Sequence, residues 1–278
     1  MNLNTIESLM RRFLWNNSPH KSHQPLVSWK LVCQPSSLGG LGIKWLKLLN
    51  QAWMLKLAWR LLKEPQSLWV QVFKAKYFPN TNLFHTKAHL HSSWVWKNIH
   101  RSIPLMQQNL IWEVGNGQDI LVWNDFWVGY FKLKDYLLSN IPHGLLNIKV
   151  SDLINLTTWS WNLVTISPFL SSDLLHKILA IPLPLNACPD QCHWRHTYNG
   201  IFSIKYAYNY LLSSRQQVPL PSLPWHNLWK IRVQPKVKFF LWLLCHDKLP
   251  TRLLLYGDRK STRLNSSHEI PSRMPSSA

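Results

Sequence analysis

WLKLLNQAWMLKLAWRLLK, residues Trp45 to Lys63, is the stretch that decides the fold class. Leu48, Leu49, Ala52, Trp53, Leu55, Trp59 and Leu62 recur every three or four residues, which places them on one broad face of a helix. Pro65 closes the element. Lys56, Arg60 and Lys63 fall four and three apart along one edge of that helix. Like charges at this spacing repel slightly. A phosphate backbone laid along the edge would relieve the repulsion, and so would plain water.

The flanks repeat this helical reading. Ile6, Leu9, Met10 and Phe13 give a short helix over residues 3–15, and Pro19 ends its pattern. Beyond Trp29 the chain reaches Gly39, Gly40 and Gly42, which lack the G-x-G-x-x-G order and so read as a structural turn. A second helix is expected from Leu68 to Tyr77, stopped by Pro79. SSWVWKNI, from Ser92, stays open: Trp94 and Trp96 alternate as in a strand, while Ser93 could cap a helix. Ile99, Ile103, Met106 and Leu110 then favour a helix, with Pro104 a break near its start.

IWEVGNGQDILVWNDFW, Ile111 to Trp127, reads as a hairpin turning at Gly115, Asn116 and Gly117. Its aromatic residues suit packing, or a platform for stacked bases. Residues 131–187 hold short apolar patterns split by prolines, with Ser172 a candidate cap for a helix carrying Leu174, Leu175, Ile178 and Leu179. Phe202 and Ile204 suggest a brief strand, and Tyr206 to Leu212 a helix. SSRQQVPLPSLP is a proline-bearing linker. Pro235 then suits a helix start, with Val237, Phe240, Leu241 and Leu244 turned inward. Thr251 could cap a further helix through Arg252, Leu254 and Leu255. The fold class expected is mainly α with a small β-hairpin.

Composition narrows the function. The 278 residues carry 31 basic and 12 acidic side chains, a net charge of +19, which favours a polyanionic partner, RNA or DNA, over a cationic substrate. Seventeen tryptophans are too much indole to leave in water. Cys33, Cys188, Cys192 and Cys245 form no secreted disulfide framework. The N-terminus does not read as a signal peptide, and no apolar run reaches the ~18 residues of a membrane span. An intracellular, reducing compartment is expected, with the nucleus left open although dense basic clusters are absent, and with no membrane partner.

Catalytic patterns are sparse. Metal-dependent nucleotidyl transfer needs paired carboxylates, and no Asp-Asp pair occurs in the chain. Glu113, Asp119 and Asp125 read as surface or turn residues. Cys188, Cys192, His193 and His196 carry zinc-type donors, but their spacing is cramped and no second pair follows. His85, His89 and His91 read as a solvent-facing cluster. Cys245 and His246 are adjacent and face different ways on a helix. No catalytic residue, metal ligand or cofactor is assigned. The candidate phosphate contacts are Lys56, Arg60 and Lys63, with Arg232, Lys236 and Lys238 near the Pro235 helix.

The order of these blocks resembles the region downstream of the polymerase in plant LINE-type non-LTR retrotransposon proteins. FLWNN at Phe13, VSWKLVCQPSSLGGLGI at Val27 and LNQAWMLKLAWRLL at Leu49 carry the likeness. LWVQVFKAKY, SSWVWKNI, IWEVGNGQDILVWNDFW and DQCHWRHTYNGIFSIKYAY continue it. LWKIRVQPKVKFFLWLLCHDKLPTRLLLYG resembles the opening of the reverse-transcriptase zinc-binding domain. The likeness covers roughly residues 10–257. It implies a piece of a larger multidomain protein, with the polymerase portion as a natural partner. The family's palm aspartates are not in this chain. Its zinc ligands follow the LPTR-like stretch, and no cysteine follows Cys245, so none is carried over. KSTRLNSSH, from Lys260, resembles translated sequencing adapter. The organisation expected is a helical post-polymerase region with a tryptophan-rich hairpin over 1–130 and a mixed connection over 131–215. The shortened start of the zinc-binding domain follows over 216–257, then a foreign, disordered tail over 258–278.

Overall fold

The computed structural model describes residues 2–15, 25–86, 91–155, 157–184, 188–215 and 223–249. Among them the helices are α1 (Leu3–Trp15), α2 (Trp29–Val32), α3 (Leu46–Lys63), α4 (Leu68–Tyr77), α5 (Trp94–Gln107), α6 (Ser172–Leu179), α7 (Ile204–Ser213), α8 (Trp225–Lys230) and α9 (Pro235–Cys245). The strands are β1 (Leu110–Glu113), β2 (Ile154–Asn155), β3 (Ser160–Trp161) and β4 (Gln191–Trp194). The chain is mainly α with small β pairs, as its periodicity predicts. It divides into two units, residues 1–46 with 217–278, and residues 47–216. The expected cap at Thr251 and the tail lie outside the described residues.

The first unit is built on tryptophan. Trp29, Val32, Cys33, Trp225, Trp242 and Leu243 form its buried core. The glycine turn is structural, and its geometry says why. Gly39 sits at φ 83°, and its carbonyl accepts from Trp242 Nε1 at 2.7 Å and pairs with His246 Nε2 at 2.8 Å. Trp225 stacks on His246 with ring centroids 4.6 Å apart. A Cβ at Gly40 would stand 2.0 Å from the Gln34 carbonyl oxygen, so only glycine fits.

Two faces of this unit differ from the periodic reading. In α1 the inward residues include Glu7, which is buried and bonded by Arg11, while Leu9 and Phe13 are exposed. In α9 Trp242 and Leu243 are buried, whereas Val237, Phe240 and Leu244 face out. The indole N–H of Trp242 has an acceptor at Gly39, and that bond orients the helix. Spacing cannot choose a face on a helix that is apolar nearly all round.

The second unit starts with α3, whose buried residues are Leu48, Ala52, Leu55, Ala58, Trp59 and Leu61. Trp53, expected on the apolar face, is 52% exposed. SSWVWKNI resolves as helix: the Ser93 hydroxyl accepts from the Trp96 N–H at 3.2 Å, and α5 runs on through Pro104. Trp96 is fully buried with Tyr77 stacked on it, centroids 4.4 Å apart and planes 2° apart. In α6 the cap position is Ser171, and Ser172 is the first helical residue. Phe202 and Ile204 form no strand, because Ile204 already opens α7.

The expected hairpin across Gly115–Gly117 does not form. β1 pairs antiparallel with β4 instead, Leu110 opposite Trp194 and Glu113 opposite Gln191. Phe126 returns beside Ile111 through a single parallel bridge, and the local hairpin of the unit is β2 with β3. The cause is Asp190. Its carboxylate accepts from the backbone N–H groups of Gly115 and Gly117, each at 2.8 Å, and of Asp119 at 2.9 Å. The turn closes around a distant carboxylate rather than across its own arms. Gly117 adopts φ 71°, and a Cβ there would lie 2.4 Å from the Ser151 nitrogen.

Both anchors can be tested by unfolding in urea. Gly40→Ala forces a backbone displacement and is expected to lower stability by about 2 kcal/mol or more. Asp190→Ala orphans three donors and removes three charge-assisted bonds, an expected loss of about 3 kcal/mol, with Asp190→Asn intermediate. An unchanged urea midpoint in Asp190→Ala would show that the loop holds its shape unaided.

Candidate nucleic-acid interface

The basic edge predicted from α3 exists, and it lies over aromatic rings. Lys56 Nζ is 5.9 Å from the Phe202 centroid, Arg60 Cζ is 5.0 Å from Trp69, and Lys63 Nζ is 5.6 Å from Trp59. Trp59 in turn stacks on Phe202 at 5.9 Å. Arg60 also pairs with Glu64 at 2.7 Å, so part of its charge is already answered. Ring contacts of this kind are worth ~0.5–1 kcal/mol at exposed sites, which positions a cation without consuming it. Trp53 stands three and seven residues before Lys56 and Arg60, hence on the same face. An exposed indole beside cations is the combination that holds a stacked base next to its phosphate.

In the first unit Arg232 and Lys236 are exposed, while Lys238 is half-buried and its ammonium donates to the Trp229 carbonyl at 3.0 Å. Lys238 therefore serves the α8–α9 junction, and Arg232 and Lys236 keep the freer charges.

One basic group escaped the sequence reading. Lys132 Nζ and Arg195 Cζ both lie against the ring of Phe126, at 4.9 and 4.4 Å. Burial first, and then the charge of Lys134, hold the Lys132 ammonium below its ordinary pKa, with Arg195 acting in the same direction. Sixty-three positions separate the two cations, so no local pattern joins them. The signal that could have found them is the basic residue flanking each aromatic block.

The acidic and metal-type residues are occupied structurally. Asp125, 3% exposed, accepts from the Leu121 N–H at 2.8 Å. Asp119 accepts from Asn82 at 2.6 Å, and Glu113 pairs with His193 at 3.1 Å. Cys192 is buried on β4, and burial raises its thiol pKa, whereas Cys188 is exposed. Burial, helped by Glu7, pushes the Cys33 thiol up to about 12. Among the described residues no three His, Cys, Asp or Glu side chains come together as a metal site. Likewise no described helix is long and apolar enough to cross a membrane.

His196 has a defined tautomer. Asn109 spends its amide N–H on the Leu105 carbonyl, so its oxygen faces His196 Nε2, which donates at 2.6 Å. The ring stacks on Tyr210 at 4.0 Å. Burial, then the charge of Arg195, pulls its pKa below the ordinary 6.5.

Comparison with known proteins finds likenesses to one family and two plant relatives. Residues 202–262 match the family model described as zinc-binding in reverse transcriptase. That likeness is confined to residues 202–262. It is 32% identical over 266 residues to a provisionally named ribonuclease H protein of Arabidopsis thaliana, a match covering 90% of this chain and 41% of that relative. It is 27% identical over 124 residues to a mitochondrial protein of the same plant named as uncharacterized, covering 44% of this chain and 80% of that one. No solved structure matches the chain.

The zinc implied by the family's description does not fit the donors here. Residues 202–262 contain one cysteine, Cys245, and two histidines, His226 and His246. His246 Nε2 is engaged by Gly39, and His226 is exposed on α8.

The His196 geometry has a pH consequence. Its folded pKa lies below the unfolded one, so acidification protonates the unfolded chain first. Native stability should fall as pH drops through about 6.5 toward the depressed value, and be unaffected above it. Urea midpoints of the parent chain and His196→Gln, compared between about pH 7 and pH 5, should diverge, with the variant less acid-sensitive. Parallel curves would contradict the assignment.

Proposed function

We propose that the chain is a non-catalytic segment of a LINE-type, non-LTR retroelement reverse transcriptase that holds single-stranded RNA or DNA without sequence preference. The exposed Trp53 beside Lys56 and Arg60 on one face of α3 carries this reading. The net charge of +19 supports it. Lys63, Lys132 and Arg195 extend the second unit's cationic set, and Arg232 and Lys236 supply that of the first. Glu113, Asp119 and Asp125 are engaged by His193, Asn82 and the Leu121 N–H, so the support is for binding rather than turnover.

The test is binding of labelled single-stranded RNA, measured by anisotropy across a salt series. Each phosphate contact on a single strand adds about −0.7 to the slope of log affinity against log salt. The triple substitution Lys56→Gln, Arg60→Gln, Lys63→Gln should therefore flatten the slope by about 2. Trp53→Ala should weaken binding at every salt while leaving the slope alone, by the ~1–3 kcal/mol typical of a stacked base. RNA binding without salt sensitivity, or none at all, would sink the proposal.

A second reading has its own observation. Val237, Phe240 and Leu244 form an exposed apolar stripe on α9. It favours an interaction segment that packs on the polymerase portion of the parent protein. That reading expects coexpression with such a portion to raise solubility while RNA affinity stays absent.

A further inference from the structure

We propose that the turn at Val128–Phe131 carries a site for one unpaired nucleotide, its phosphate held by Lys132 and Arg195 and its base stacked on Tyr130. The site rests on the single-strand reading above for the kind of ligand, and all of its residues lie outside α3.

Two cations from distant segments are held over one ring. Lys132 Nζ lies 4.9 Å and Arg195 Cζ 4.4 Å from the Phe126 centroid, so they are no farther apart than those two distances together. Phe126 is 8% exposed, which makes this floor part of the packed core. Among the described residues neither cation has an ion-pair partner. Asp125 and Asp135 are the carboxylates that act on Lys132. Asp125 is turned inward, 3% exposed, and accepts from the Leu121 N–H at 2.8 Å, while Asp135 stays beyond ion-pair distance. Lys134, and Lys177 lying 5.7 Å from the Phe131 centroid, add like charge. Holding like charges together costs free energy, and an anion seated between them removes that cost.

The neighbouring ring selects the anion. Arg195 donates one N–H to the Tyr130 carbonyl at 3.0 Å, which aims the guanidinium and leaves its other N–H groups for a ligand. That fork matches the oxygens of a phosphate or a carboxylate in pairs, so charge alone does not choose between them. Tyr130 does. It stands at the tip of a two-residue turn, with Val128 bridged to Phe131 and Gly129 at φ 75°. Its ring is 68% exposed, on the residue whose carbonyl touches Arg195. Phe131 packs on Tyr136 instead, centroids 5.2 Å apart, and leaves Tyr130 to solvent. A flat base with a phosphate one sugar away fills both positions. An acidic peptide fills only the first.

The experiment uses the full chain with its eight tyrosines 13C-labelled, the Tyr130 signals being assigned by their loss in Tyr130→Leu. Adenosine 5′-monophosphate should move the Tyr130 ring resonances upfield and saturably, as under a stacked base. Adenosine, which has no phosphate, should bind about tenfold more weakly or worse, and Lys132→Gln with Arg195→Gln should weaken the monophosphate to a similar degree. Because both side chains pack on Phe126, a competition that needs no variant supplies a second arm. Inorganic phosphate should reverse the shift, and chloride at equal ionic strength should reverse far less of it. No Tyr130 shift, an equal response to adenosine, an unchanged response in the double variant, or chloride as effective as phosphate overturns the proposal. Displacement by a hexaglutamate peptide as effective as that by phosphate also overturns it, in favour of an acidic-peptide surface. Failure here with salt-sensitive RNA binding intact removes this site alone. A Tyr130 response in a chain that holds no RNA strand removes the single-strand reading alone.

Discussion

Asp190 is the residue on which the second unit depends. One carboxylate accepts three backbone N–H groups from the loop Gly115–Asp119. Such bonds are charge-assisted and roughly twice as strong as neutral ones. They join segments more than 70 positions apart, so they set the register in which β1 meets β4. That register places Cys192 opposite Trp112 and His193 opposite Ile111. The glycines are required by what surrounds them. Gly115 meets the Cys188 and Pro189 carbonyls, and Gly117 meets the Ser151 backbone. The sheet and the fate of the would-be hairpin both follow from this one anion in a ring of amides.

In the first unit a buried carbonyl does comparable work. Gly39, in the left-handed region, turns its oxygen toward Trp242 and His246. The bonds orient α9, and Trp225 closes over the imidazole. With Trp242 and Leu243 inward, Val237, Phe240 and Leu244 are left facing water. A family likeness to a zinc-binding region does not bring the zinc donors with it: residues 202–262 hold one cysteine and two histidines, and one of these, His246, already holds the turn.

Electrostatics separates free from committed charge. Arg60 is shared between Glu64 and Trp69, and Lys238 is tied to the Trp229 carbonyl. Lys63, Arg232 and Lys236 remain exposed. Lys132 and Arg195 converge on Phe126 despite their like charge, and burial, before any neighbouring charge, lowers the lysine pKa.

Helices were legible because they depend on neighbours three and four residues away. The periods over residues 3–15, 46–63 and 68–77, the proline start of α9 and the basic edge of α3 are all local facts. So is the excess of positive charge. What only the tertiary structure decided was every pairing that needed a distant partner. Ile111–Glu113 could have met the arm beyond its own turn, and meets Gln191–Trp194 instead, because Asp190 outbids the short-range hairpin with three charge-assisted bonds. Trp53 and Trp242 carry the same side chain at similar helical positions. One is exposed and the other buried, and Trp242 also finds an acceptor for its N–H on another segment. Periodicity names the faces of a helix; packing against segments distant in sequence chooses which face turns inward.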